Sequence, residues 1–357
     1  MTQSETNSPR WLLYGANGYT GELIARAAVA QGSKPILAGR STSRIQALAK
    51  ELACESRVFA LENQTATVIA LQDVALVLNC AGPFSSTAGR MMQACLASHV
   101  HYLDITGEID VFELAHRLSE KAERANVLLC PGVGFDVVPT DCLAAKLKNA
   151  LPDATHLTLA FEGQGRASVG TAKTGIESLH AGGRIRKDGI LLNEPLGHRM
   201  RRLDLGNGER EVAGIPWGDV STAYYTTGIP NIEVFIAGPP GSALRMKKAW
   251  RWRSLLRTGV AQWVLKKAVA RGPRGPSEAE RNNNPTFIWG EVSNAAGVKK
   301  TGRLRTANGY AVTVQSALAI VARVLGAPTA AGYTTPARLM GAEFVETLHG
   351  SSKIKIE

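Results

Sequence analysis

The chain has 357 residues, of which 45% are apolar, 6% aromatic and 20% charged; this is more than one typical domain and has the composition of a soluble globular protein, so two domains with ample core are expected. Its net charge of +11 is a local feature, because ten basic residues and no acidic one lie between Arg245 and Arg274, leaving 31 basic against 30 acidic residues elsewhere. That distribution argues against a nucleic-acid-binding surface spread over the whole protein. The five cysteines (Cys54, Cys80, Cys95, Cys130, Cys142) are odd in number and never spaced C-x-x-C, which predicts reduced, buried thiols rather than disulfides or zinc. Met1 to Arg10 is polar and no run approaches 18 uncharged apolar residues, so a cytoplasmic protein is expected.

In chain order, the apolar run Trp11-Leu12-Leu13-Tyr14 predicts a strand, followed by Gly15-Ala16-Asn17-Gly18-Tyr19-Thr20-Gly21 and a helical pattern from Glu22 to Ala28. A strand, a tight glycine turn and a helix start form the layout a pyrophosphate needs: free backbone N–H groups point at the anion, and glycines let the backbone approach it. The glycines fall at 15, 18 and 21, one residue longer in the first turn than the G-x-G-x-x-G spacing. Gly15, Asn17, Gly18, Tyr19, Thr20 and Gly21 are the resulting cofactor candidates. Next come a strand over Lys34 to Arg40, a helix from Ser41, a strand over Arg57 to Leu61, a short helix near Thr65 to Leu71 and the continuous apolar strand Val74 to Cys80. A helix over Thr87 to Ser98, a strand over His101 to Ile105, a helix from Val111 to Asn126 and a sixth strand, Val127 to Cys130, complete the series. Continuous apolar strands alternating with helices predict a doubly wound parallel sheet covered on both faces.

Past Pro131 the rhythm changes. A connecting helix near Pro139 to Asn149 precedes separated strands at His156 to Phe161, Glu211 to Gly214, Asn231 to Ala237, Thr286 to Val292 and Thr301 to Thr306. These predict a second α+β domain with a mixed or antiparallel sheet, then two helices, Gly309 to Leu325 and Pro336 to Leu348. Arg271 to Asn284, rich in Gly, Pro and Asn, reads as a flexible loop.

The choice of dinucleotide rests on the end of the second strand. An acidic residue there holds the 2′-hydroxyl of NAD, whereas an arginine accommodates the 2′-phosphate of NADP. Arg40 stands 22 residues after Gly18, Ser41 and Arg44 follow, and no carboxylate lies between Gly39 and Lys50, so NADP(H) is expected.

Together with Gly15 to Gly21, the stretches Ala38-Gly39-Arg40, Asn79-Cys80-Ala81-Gly82-Pro83-Phe84, Tyr102 to Glu108 and Pro131 to Asp141 give a chain that resembles the saccharopine dehydrogenase-like oxidoreductases, and within them the trans-acting enoyl reductases. Gly170-Thr171-Ala172, Ile215 to Asp219, Thr227 to Ile232 and Tyr310 to Ala319 extend the resemblance over nearly the whole chain. It implies a Rossmann domain over 1–135, a substrate and dimerisation domain over 136–326, helices over about 327–350 that pack back on the first domain, and NADP(H) chemistry.

Ligands of such sheets bind beyond the carboxyl ends of the strands. The loops carrying Cys80, Ala81, Gly82, Pro83 and Phe84, then Gly107, then Gly132 to Asp136 are therefore expected to surround the dinucleotide. A hydride transfer also needs a proton donor or charge stabiliser. Tyr224 and Lys173 are the preferred candidates, with Tyr225, His180 and Asp136 beside them, although Asp136 is equally placed to cap a helix. No tyrosine has a lysine four residues later, which excludes the short-chain dehydrogenase pair, and the seven histidines form no metal pattern.

From Met246 to Val269, apolar residues (Met246, Trp250, Leu255, Leu256, Val260, Trp263, Val264, Leu265) alternate with cations in one predicted helix. It reads as a core-facing helix with a solvated basic face, a peripheral membrane contact through 245–274, a lid, or an oligomer contact, a homodimer being the expected assembly. The expected activity is NADPH-dependent reduction of a C=C or C=N bond in a small or carrier-linked metabolite. One alternative is amino-acid imine chemistry of the saccharopine type, for which Arg184, Arg186, Arg199, Arg201 and Arg202 could clamp carboxylates; another is a non-catalytic NADP sensor or membrane scaffold.

Overall fold

A computed structural model describes residues 9–163, 168–178, 182–197, 199–239, 241–256 and 258–357. Strands β1 (Trp11–Tyr14), β2 (Ile36–Gly39), β3 (Ser56–Val58), β4 (Leu76–Asn79), β5 (His101–Asp104) and β6 (Leu128–Cys130) alternate with helices α1 (Tyr19–Ala30), α2 (Thr42–Leu52), α3 (Gln64–Ala70), α4 (Phe84–Ser98), α5 (Ile109–Arg117) and α6 (Ser119–Arg124). Every residue of β1, β2 and β4 is buried, as a parallel sheet covered on both faces requires. The single helix expected over 111–126 is interrupted at Leu118, the shared boundary of α5 and α6.

Helix α7 (Val138–Ala150) leads into the second region. There β7 (His156–Gly163), α8 (Val169–Ser178), β8 (Gly183–Lys187), β9 (Ile190–Glu194), β10 (Met200–Asp204), β11 (Glu209–Gly214), α9 (Asp219–Thr227) and β12 (Asn231–Ala237) precede the helices α10 (Ser242–Trp250), α11 (Arg253–Leu256), α12 (Gly259–Ala270) and α13 (Glu278–Asn283). The chain ends through β13 (Thr286–Ser293), β14 (Lys299–Thr306), α14 (Gly309–Gly326), β15 (Gly332–Tyr333), α15 (Pro336–Met340), a 3₁₀ turn at Phe344–Thr347 and β16 (Lys355–Ile356).

The first sheet is parallel throughout, in the order β15-β6-β5-β4-β1-β2-β3. Its direction of winding reverses between β1 and β4, which lie side by side with Leu12 opposite Val77; this is the switch point where doubly wound sheets open a ligand crevice. The second sheet runs β10-β11-β12-β7-β13-β14-β16, with the β8–β9 hairpin joined to β12. It is mixed: β12 and β7 pair in parallel, whereas β7–β13 and β13–β14 are antiparallel. Gly290 and Gly302 face each other across β13 and β14. A Cβ at Gly290 would stand 2.8 Å from Leu147 and one at Gly302 2.7 Å from Leu143, so this glycine pair makes the groove in which α7 lies.

Several elements differ from the sequence-based expectation. The β8–β9 hairpin and β10 are absent from that reading: β9 and β10 are largely exposed, and the mostly buried β8, Gly183-Arg184-Ile185-Arg186-Lys187, is too polar to give an apolar period. The helix expected over 246–269 is divided into α10, α11 and α12, and Thr258 starts the last of these by accepting a hydrogen bond from the Ala261 N–H. Pro336 to Leu348 shortens to α15 and the 3₁₀ turn, and the expected loop at 271–284 contains α13, closed by a capping box between Ser277 and Glu280. By length and composition α14, with mean hydropathy 1.4, is long and apolar enough to cross a membrane. Here it packs against α1 and buries Val312, Ser316, Ala317, Ile320, Val321 and Val324.

Candidate active site at the carboxyl ends of the parallel strands

The glycine turn after β1 is shaped by backbone approach. Gly15 has φ +79° and donates its N–H to Ala38 O at 2.8 Å. A Cβ at Gly15 would stand 2.8 Å from Ala81 N, in the loop after β4, and one at Gly21 would stand 2.3 Å from Gly15 O. Gly15 thus closes the switch point, and Gly21 seats α1 on the turn. Gly18 is the N-cap of α1, and no side chain caps it. The N–H groups of the first helical turn, at Tyr19, Thr20 and Gly21, have no intrahelical acceptor and carry the positive end of the helix dipole. The cradle therefore fits a pyrophosphate: it offers free donors where any side chain on Gly15 or Gly21 would collide.

The second half of the cofactor site is equally consistent. Asn17 Oδ1 would come within 3.1 Å of a Cβ at Gly39, so Asn17 leans over the end of β2. Arg40 follows, exposed, and Ser41 is the N-cap of α2 without a side-chain cap, with exposed Arg44 in a first turn that has no acidic residue. An uncapped helix start flanked by two arginines fits a phosphate on the ribose.

Three loops form a hydrogen-bonded floor. After β4, Asn79 Oδ1 accepts the Ala81 N–H at 3.0 Å, the Thr87 hydroxyl donates to Ala81 O at 2.6 Å, and Gly82–Pro83 is cis. Cys80 is half-buried, and Phe84 opens α4. The Glu108 carboxylate accepts the N–H groups of Phe84 at 2.8 Å and Ser85 at 2.7 Å, joining this loop to the one after β5. Asp104 accepts from Thr106 N at 3.0 Å, Gly132 N at 2.9 Å and the Tyr102 hydroxyl at 2.7 Å, which joins the loops after β5 and β6. Burial pushes the Asp104 carboxyl up to about 6. From α14, the Thr313 hydroxyl oxygen accepts Phe135 N–H at 3.0 Å and the Ser316 hydroxyl donates to Val133 O at 2.7 Å, fixing the third loop.

Asp136 stands in this floor. Its Oδ2 would lie 2.8 Å from a Cβ at Gly107, so the glycine leaves room for the carboxyl. Asp136 is not a helix cap: Val137 holds the N-cap position of α7 and no side chain caps it. Desolvation, reinforced by the Glu108 charge, pushes the Asp136 carboxyl up to about 7, against an ordinary 3.8. Asp219, at the start of α9, is fully buried and pushed well above the carboxylate range by burial, with Asp141 and Asp136 adding repulsion. The neighbouring Thr140 hydroxyl donates to Val137 O, and among the described residues neither Asp219 oxygen receives a hydrogen bond.

The other donor candidates sit differently. Tyr224 faces the β8–β9 hairpin, with the Arg186 guanidinium 4.2 Å from its ring centroid and its hydroxyl toward Gly189. The Tyr225 hydroxyl donates to Glu113 at 2.9 Å, and its ring stacks on His116. Both tyrosines thus join α9 to α5 and the hairpin, and none of these contacts reaches the glycine turn. Lys173 lies on α8, whose start does approach the turn: Ser168 N–H donates to the Tyr310 hydroxyl at 2.6 Å, and Tyr310 packs edge-on against Tyr19 at 5.1 Å. His180 lies outside the described residues.

One part of the site has no local signal in the sequence. The segment 274–281 lies on the turn from the far end of the chain. Arg274 donates to Asn17 O at 2.9 Å and pairs with Glu22 at 3.1 Å. The Tyr19 hydroxyl donates to Pro276 O and accepts from Arg281 at 2.9 Å, and a Cβ at Gly275 would stand 2.6 Å from the Tyr19 ring. Among the described residues no cluster of His, Cys, Asp and Glu could hold a metal ion.

Residues 11–130 match the model of the saccharopine dehydrogenase NADP binding domain. The mouse saccharopine dehydrogenase-like oxidoreductase is 29% identical over 150 residues, 36% of this chain and 35% of that protein. A Mycobacterium tuberculosis protein named trans-acting enoyl reductase is 29% identical over 156 residues, 40% of this chain and 37% of that protein. The chain thus matches about a third of the length of these curated relatives. Apo histidine-tagged saccharopine dehydrogenase (L-Glu forming) from Saccharomyces cerevisiae shares the fold over 98% of this chain and 99% of its own, with a TM-score of 0.61 at 10% identity. Residues 11–130 are thus similar to the NADP-binding domain of the saccharopine dehydrogenases, and the two-sheet fold of the whole chain is shared with the yeast enzyme.

Proposed function

We propose that this protein is an NADPH-dependent reductase that acts on a C=C or C=N bond of a small or carrier-linked metabolite, with Asp136 as the proton donor. The observation that carries this reading is a carboxyl near neutrality, at about 7, set into the floor beside Gly107 at the carboxyl ends of the parallel strands. A general acid works best with its titration close to the working pH. The bound nicotinamide supplies the hydride. The chain's own groups hold and orient it: the free N–H groups of α1 take the pyrophosphate, Arg40 and the start of α2 take the 2′-phosphate, and Arg274 adds a cation beside the turn.

The arginines favour an enoyl over an amino-acid substrate. Arg184 pairs with Asp110, Arg186 with Glu113, Arg199 with Glu194 and Glu233, and Arg201 with Glu233. Four of the five cations that could clamp a dicarboxylate are thus engaged within the protein, and the fifth, Arg202, is exposed on β10. The name of the mycobacterial relative, trans-acting enoyl reductase, points the same way. Loss of NADPH absorbance against α,β-unsaturated thioesters and cyclic imines tests the reading. Turnover only with a 2-oxo acid plus an amino acid would place the saccharopine-type reaction first, and tight NADPH binding without consumption across the panel would favour a sensor or scaffold. A homodimer in the cytoplasm is the assembly and location we propose for it.

A further inference from the structure

We propose that the face formed by α10, α11 and α12 docks on an anionic phospholipid surface. Its apolar side chains are exposed to a degree the fold does not require: Trp252 is 67% exposed, Val260 75%, Trp263 58%, Val264 52% and Leu244 49%. Val260, Trp263, Val264 and Lys267 recur at the i, i+3, i+4, i+7 spacing that puts them on one face of α12. The same helix packs against α8. A helix on the surface of a globular domain needs one apolar stripe; α12 has an apolar face left over after that packing.

The chemistry around this face identifies what covers it. Between Arg245 and Arg274 there are ten cations and no carboxylate. Lys267 Nζ stands 4.1 Å from the Trp263 ring centroid, and the Arg253 guanidinium 5.1 Å from that of Trp250, so cations and indoles form mixed pairs. Tryptophans at headgroup depth, with lysines and arginines reaching the phosphates, are the side chains that suit a membrane interface. A second copy of the same face would set like charges against one another, and an uncharged hydrophobic substrate would offer no counter-charge to the exposed Lys247, Lys248 and Arg251. An anionic bilayer satisfies both halves of the surface, apolar at its acyl boundary and negative at its headgroups. The exposed cations Lys247, Lys248 and Arg251 then supply attraction, and Trp252, Val260, Trp263 and Val264 supply insertion.

Cosedimentation of the purified full chain with phosphatidylglycerol–phosphatidylcholine vesicles, against phosphatidylcholine alone, tests this. Binding at low salt is expected only with the anionic vesicles, with release at about 0.5 M salt, where screening reaches within a few ångströms. The Trp252→Ala, Trp263→Ala double variant and the Lys247→Gln, Lys248→Gln, Arg251→Gln triple variant should each bind at least about tenfold more weakly. Both should retain the wild-type melting temperature and NADPH affinity, which shows that they fold. The proposal is overturned by absence of binding to anionic vesicles at low salt, by well-folded variants that bind as the wild type does, or by duplex DNA displacing the protein from vesicles at equal phosphate concentration. It is also overturned if the tryptophan variant loses NADPH turnover while its vesicle binding is unchanged, since the face would then serve as a substrate lid.

Discussion

Replacing Asp136 by Asn keeps the shape of the side chain beside Gly107 and removes its proton. With the carboxyl titrating at about 7, half the molecules are protonated at neutral pH and about a tenth at pH 8. If that proton is delivered to substrate, kcat/KM of the wild type is level below about pH 6 and falls roughly tenfold per pH unit well above 7. Asp136→Asn should lower kcat by about 10²–10⁴-fold and remove that slope. Stability gives a readout that needs no substrate. The folded carboxyl is raised above its unfolded 3.8, so the folded state binds the proton more tightly, and stability is lost as pH rises from about 4 through about 7. The full difference is on the order of 4 kcal/mol, so Asp136→Asn should melt higher than the wild type at pH 8 and close to it near pH 4. Activity within threefold of the wild type with an unchanged pH profile would refute the proton-donor role, and a variant that melts lower than the wild type at pH 8 would refute the electrostatics behind it.

Other expectations follow from the same geometry. Gly21→Ala places a Cβ 2.3 Å from Gly15 O, a backbone atom that cannot step aside, so NADPH affinity should fall more than about tenfold and calorimetry should show about 1–3 kcal/mol of lost stability. Arg274→Ala removes a cation that donates to Asn17 O in the cofactor turn, and titration should show a severalfold weaker NADPH complex, whereas Arg271→Ala, at an exposed position, leaves affinity unchanged. Asp104, Asp136, Asp141 and Asp219 are all raised by burial, so the melting temperature of the wild type should fall between pH 5 and pH 8; a rise over that range would contradict their placement.

Much of the first sheet was legible because its strands are buried on both faces: Trp11 to Tyr14 and Leu76 to Asn79 have no polar side to interrupt the apolar run until the strand ends at Asn79. Those ends then locate the loops with Gly15, Ala81 and Gly107, which the structure brings together around the β1–β4 switch point. In the second sheet the signal is weaker, since Met200 to Asp204 is almost wholly exposed and is held by pairing with β11 rather than by burial. The contact of Arg274 with Asn17 spans 257 positions and depends on where α8, α13 and α14 set the chain down, which no local pattern encodes. Asp136 has two readings in the sequence, cap or acid, because both place a carboxyl just before a helix; the N-cap at Val137 removes the first. Tyr224 had the chemistry of a donor, but its position is decided by Arg186 and the hairpin across from it.

The turn from Gly15 to Gly21, completed by Arg40, is expected to hold NADP(H) and to select it by its 2′-phosphate. Equilibrium titration of wild type and Arg40→Asp with NADPH and NADH tests it most directly. A charge-assisted contact to phosphate predicts that the wild type binds NADPH at least about tenfold more tightly than NADH. The variant should lose most of that preference through weaker NADPH binding, with NADH unchanged or improved. Equal affinities in the wild type, or an equal loss for both dinucleotides in the variant, would contradict it.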